Sequence, residues 1–246
     1  MRTTAESANR GSEGSGRILD IYLLSGVATM PGFFLSLEQA LLARCREEGW
    51  DAAIYRMDPY GDHTRRVWRQ VPEVYGDFSF RSGVHGPRAE AVVHAIQSSY
   101  RGGGLLLIGH SGGGVAAYLA AAKLLDAGAA PDCRIIQIGS PRVRISPELQ
   151  AAVTHLAAAD NTGKRKDPIT RLGSWGGPVR GRGGLWTWNQ LKHAPQDRLV
   201  VPLIGGHADY FRSRPPYIHR DESSNLDRTL GAFWPGVKDY MGLRWR

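Results

Sequence analysis

One serine stands where its hydroxyl can be put to chemical use. It lies in Leu105-Leu106-Leu107-Ile108-Gly109-His110-Ser111-Gly112-Gly113-Gly114. Four large apolar residues without alternation predict a strand buried on both faces. The run from Val115 to Leu125 (Val-Ala-Ala-Tyr-Leu-Ala-Ala-Ala-Lys-Leu-Leu) is made of good helix formers. A serine on the tight turn between them needs a strained backbone, and glycines two residues to either side remove the Cβ atoms that would collide with it. The following helix points its N-terminal N–H groups at the charge that develops in acyl transfer. A serine hydroxyl is a poor nucleophile until a base takes its proton, and the base needs a third group to orient it. The partners to look for are therefore a histidine and a carboxylate. Phosphate-binding patterns, G-x-x-x-x-G-K-[ST] or G-x-G-x-x-G, cannot be read in this stretch.

Gly109-x-Ser111-x-Gly113 between a buried strand and a helix resembles the nucleophile elbow of the α/β-hydrolase superfamily, particularly its lipase and esterase members. The resemblance implies a serine hydrolase that cleaves carboxylic esters through an acyl-enzyme, with an acid and then a histidine downstream of the serine, each just past a strand end. It implies neither a metal nor an organic cofactor. His207 follows Ile204-Gly205-Gly206 at the mouth of the last predicted strand and matches the superfamily's histidine loop. His155 falls inside a predicted strand, His193 follows an irregular Trp-rich stretch, His219 lies further on, and His110 reads as a structural neighbour of the serine.

For the acid, Lys166-Asp167-Pro168-Ile169-Thr170-Arg171-Leu172 looks like the acid loop of lipase-type hydrolases, so Asp167 is preferred. Asp160, directly after the fifth predicted strand, and Asp209, beside the histidine, stay open. A carboxylate not used in this way reads as an ordinary loop or capping group. The oxyanion hole implied by the resemblance uses the N–H of Gly112 and one from the loop after the first strand. That loop is Ser25-Gly26-Val27, which assigns Val27, although the His-Gly start common in the superfamily is missing here.

The elements that must position these residues follow in order. Strands are expected over 18–24, 51–57, 105–108, 133–138, 153–157 and 198–204, with Pro202 arguing for an edge position in the last. Helices are expected from a Ser36/Gln39 capping box to about Glu48, from Pro87 with the stripe Ala89, Val92, Val93, Ile96 and Tyr100, after Ser111, briefly at Ser146-Pro147-Glu148, and from Leu226 to Tyr240 with an interruption at Pro235. Residues 58–86 and the Gly/Trp-rich 173–188, with six glycines and three tryptophans, lack a period and read as loops. Alternating strands and helices predict one doubly wound, mostly parallel six-stranded α/β sheet over 18–246 after a disordered tail at 1–17. The resemblance implies the order 2-1-3-4-5-6, with ligands at the carboxyl ends of the strands.

The chain has 246 residues, 42% of them apolar, enough for a sizeable core. It shows no apolar run of membrane-spanning length, no secretory signal before Ile18, no disulfide framework from Cys45 and Cys133, and no zinc spacing, so a cytoplasmic setting is expected. The net charge of +8 comes without a nucleic-acid motif. Two basic clusters, Arg65-Arg66-Val67-Trp68-Arg69 and Lys164-Arg165-Lys166, lie in segments expected to border the site. They suit an anionic substrate or acyl carrier, or are solvated loops. Trp175, Trp186 and Trp188 either wall an acyl chain or pack the long loop onto the sheet. Ester hydrolysis leads; thioester hydrolysis by the same residues, or a non-catalytic binding protein of the same fold, are the alternatives.

Overall fold

A computed structural model describes residues 17–26, 30, 32–59, 87–181 and 183–245. The expected loop at 60–86, with its basic cluster, and the expected tail up to residue 16 lie outside the described residues.

Six strands form the main sheet: β1 (Arg17–Leu24), β2 (Trp50–Met57), β3 (Gly104–His110), β4 (Arg134–Ile138), β5 (Val153–Ala159) and, after two strands that stand apart, β8 (Asp197–Pro202). Their order is β2-β1-β3-β4-β5-β8, and every neighbouring pair is parallel. The last sheet strand takes the place expected for the sixth but is the eighth in the chain. It lies at the edge, where Pro202 deprives no neighbour of a donor.

The apolar run of β3 is explained by burial on two sides. Leu106 and Ile108 join one core with α1 (Leu35–Glu47) and the C-terminal helix α4 (Asn225–Arg244). Leu105 and Leu107 join the other with α2 (Pro87–Ser99) and α3 (Gly112–Asp126). Val92, Val93 and Ile96 of the predicted α2 stripe are buried in this second core. Strands covered by helices on both faces alternate between two cores rather than between core and water, which erases the polar–apolar pattern.

Three expectations need correction. α1 begins at Phe34 without a side-chain cap, so Ser36 sits inside its first turn and the Ser36/Gln39 box is not formed. The capping box that exists is Ser224 with Asp227, at the start of α4. α4 runs through Pro235 without a break, because Leu230, Phe233, Trp234, Val237 and Met241 on both sides of the proline are buried together. The stretch 173–188 contains two strands, β6 (Gly177–Arg180) and β7 (Trp186–Asn189), paired antiparallel in a separate ribbon. Gly183 and Gly184 turn the chain at φ of 90° and 83°, a conformation open to glycine. The glycines that make this hairpin are what concealed the strand period.

Candidate active site

Ser111 stands between β3 and α3 with φ 57° and ψ −130°, one of two non-glycine residues with positive φ among those described. Such a backbone persists only where its surroundings over-determine it. Here they do. A Cβ on Gly109 would stand 2.3 Å from the backbone of Gly113, and one on Gly113 would stand 2.0 Å from the carbonyl oxygen of Leu24. The first turn of α3 is pressed against the ends of β3 and β1 so closely that only glycine fits. The Ser111 N–H donates to the Ile138 carbonyl at 2.9 Å, tying the turn to β4.

The loop after β1 passes directly over this turn. A Cβ on Gly26 would lie 2.7 Å from Ser111 Cβ and 3.1 Å from Ser111 Oγ. Gly112, the first of the two expected oxyanion donors, is the first residue of α3. Val27, the second, lies outside the described residues.

Asp167 is fully buried, and its carboxylate is occupied on every side. Oδ1 accepts from the Ile169 N–H at 2.9 Å. Oδ2 accepts from the Tyr210 hydroxyl at 2.8 Å and pairs with His207 Nδ1 at 2.9 Å. The Thr170 hydroxyl closes the turn onto the Asp167 carbonyl. Asp160 is employed otherwise: one oxygen takes the N–H groups of Thr162 and Lys164 and the Thr162 hydroxyl, and the other pairs with Lys166 at 3.4 Å. The Thr162 hydroxyl leads in pulling its pKa down to about 2. Asp209 receives the Gly206 N–H at 2.9 Å and thereby folds the histidine loop.

His207 sits against the serine turn through its neighbour. The His110 ring meets the His207 ring at 4.6 Å, tilted by 32°, and His110 Nε2 bonds the His207 carbonyl at 2.8 Å. Burial, aided by the adjacent His207, pushes His110 down to about pKa 3, so it is a neutral spacer. His155 is likewise buried and lowered to about 4 by desolvation; it bonds the Ser140 carbonyl and meets Trp175 edge-on at 5.0 Å. Trp175 packs on the sheet, with Arg142 over its ring, whereas Trp186 and Trp188 are exposed.

Three positioning residues escaped sequence reasoning. Tyr210 holds Asp167, and burial followed by the Asp167 charge raises its pKa, which keeps its proton available for donation. Its oxygen also accepts the Ala158 N–H at 2.7 Å, beyond the point where β4 stops pairing with β5. Gly139, at φ 59°, lies where a Cβ would come within 2.7 Å of Asp167 Oδ2 and 3.2 Å of His207 Nδ1. Asn225 bonds the Ile204 N–H and carbonyl and the Asp209 carbonyl, clamping both ends of the histidine loop.

A family model described as Lipase (class 3) matches residues 70–175, a span holding the serine turn and Asp167 but not His207. Among solved structures, the RedJ thioesterase from the prodiginine biosynthetic pathway in Streptomyces coelicolor is 17% identical, with a TM-score of 0.47 over 87% of this chain and 88% of that one. The NocB thioesterase domain from the nocardicin cluster is 14% identical, with a TM-score of 0.48 over 89% of this chain and 94% of that one. YbtT, a type II thioesterase from the yersiniabactin NRPS/PKS biosynthetic pathway, is 11% identical, with a TM-score of 0.47 over 95% and 96%. No curated protein matches the chain.

Proposed function

We propose that the chain, whose parallel sheet has the order expected for an α/β-hydrolase fold, cleaves carboxylic esters with Ser111 as nucleophile, His207 as base and Asp167 as the orienting acid. The observation that carries this is the buried Asp167 carboxylate bonded to His207 Nδ1, with the His207 ring against that of His110, the residue before a serine of strained backbone. In the tautomer that donates Nδ1–H to the carboxylate, Nε2 is the basic nitrogen of the ring. His207 removes the Ser111 proton as Oγ attacks the carbonyl. The tetrahedral oxyanion is held by the N–H groups of Gly112 and Val27, each such donor contributing about 3 kcal/mol to the transition state. His207 then protonates the departing alkoxide, and water, deprotonated in turn by His207, releases the acid from the acyl-serine. Lys164-Arg165-Lys166, in the turn before the acid, suits an anionic substrate or an acyl carrier.

Ser111→Ala should leave a folded protein that no longer reacts with a fluorophosphonate. Labelling that survives the change would overturn the assignment. The same three residues serve a thioester, and p-nitrophenyl esters set against acyl-thioesters of equal chain length decide between the two.

A further inference from the structure

We propose that the β6–β7 hairpin docks the protein on an anionic lipid surface. The ribbon stands outside the main sheet. Its register puts Trp186 opposite Arg180 and Trp188 opposite Pro178, so both tryptophans share one face with a cation. Leu185, Trp186, Trp188 and Leu191, all in or next to the ribbon, are 74%, 70%, 59% and 50% exposed, large apolar side chains left mostly open to water.

The ribbon's base is secured. Trp175, just before it, is buried against His155 and Arg142, the Trp188 indole edge lies over Gly176, and Lys192 Nζ donates to the Pro178 carbonyl. A two-stranded hairpin is marginal on its own, yet this one is anchored while its aromatic face is left in water.

Charge selects the partner. From Pro168 to Gln196 the chain has no aspartate or glutamate, while Arg171, Arg180, Arg182 and Lys192 fall in that interval. Indole rings favour the boundary between headgroup and acyl chain, where an apolar body meets a wet edge, and basic residues beside them are drawn to anionic lipids. Strands of four residues give a narrow projection. A bilayer receives such a projection without matching its shape, whereas a stable protein interface needs about 800 Å² on each partner. Among the described residues no helix is long and apolar enough to cross a membrane, so the contact is peripheral.

The test is sedimentation of the full chain with vesicles of phosphatidylcholine alone or mixed with phosphatidylglycerol. Wild-type protein should bind the anionic vesicles at least tenfold more tightly, and added salt should weaken that binding. Trp186→Ala/Trp188→Ala should lose at least tenfold in vesicle affinity. Leu185→Ser/Trp186→Ala, which leaves Trp188 on Gly176, should act in the same direction. Ser111→Ala should bind like the wild type, which separates this result from any failure of the hydrolase assignment. Three outcomes overturn the proposal: equal binding to both vesicles, undiminished binding by both double variants, or a wild-type dimer in solution that the tryptophan substitutions dissolve.

Discussion

Replacing Tyr210 with phenylalanine removes one oxygen that has two tasks. The hydroxyl donates to the buried Asp167 carboxylate at 2.8 Å and accepts from the Ala158 N–H at 2.7 Å. A hydrogen bond to a charged group is worth about 1.5–3 kcal/mol, and a buried donor left without a partner costs about 1–3 kcal/mol. Asp167 keeps the Ile169 N–H and His207, so the lower half of both ranges applies and the loss should be about 3 kcal/mol. For a domain of this size that lowers Tm by about 6–12 °C. Catalysis should suffer through orientation alone. Tyr210 touches the acid and is not expected to touch the substrate, so kcat for a p-nitrophenyl ester should fall about tenfold or more while KM holds, tenfold being 1.4 kcal/mol of barrier. Urea unfolding and initial-rate kinetics on the same preparation read both effects. A variant within 2 °C of the wild type and with undiminished kcat would refute the network as drawn.

Gly26→Ala would set a methyl group 2.7 Å from Ser111 Cβ, so the loop or the serine must shift. Ester turnover and the rate of fluorophosphonate labelling should both drop at least tenfold, at a stability cost of about 1–3 kcal/mol; unchanged rates would mean that the loop backbone does not cover the serine. Acid should unfold the protein partly through two histidines. His110 and His155 are held neutral by burial, down to about pH 3 and about pH 4, whereas in the unfolded chain they titrate near pH 6.5. Between those limits the unfolded state binds more protons. Stability is therefore whole above about pH 6.5 and declines as the pH falls, by about 2.7 kcal/mol per unit near pH 5 for two protons. His155→Gln, whose amide can still reach the Ser140 carbonyl, should remove close to half of that slope, measured by urea midpoints at pH 5 and 6; equal slopes would refute it.

The sheet and the serine turn were legible because both are local. The unbroken apolar run of β3, the glycines around Ser111 and the helix formers after it stand side by side in the chain. His207 was singled out among the histidines by its place after the last strand. Asp167 and Asp160 could not be separated in this way, since both follow β5 within a few residues. What separates them is partnership: Asp160 is used up by its own turn, and Asp167 faces Tyr210 and His207 some forty residues on. Tyr210, Gly139 and Asn225 were illegible for the same reason, since each works on a neighbour brought near only by folding. The Ser36/Gln39 pattern misled because a capping box needs a boundary as well as a spacing, and the packing of Phe34 and Leu37 set that boundary two residues earlier.

Asp167 draws its support from Ile169, Thr170 and Tyr210, and the bridge between Gly173 and Arg142 fastens the chain again before the ribbon starts at Gly177. The hairpin thus hangs beyond two fixed points. It can be lengthened, shortened or exchanged without moving Asp167, so variation there would reshape the exposed aromatic surface while the contact between Asp167 and His207 stays as it is.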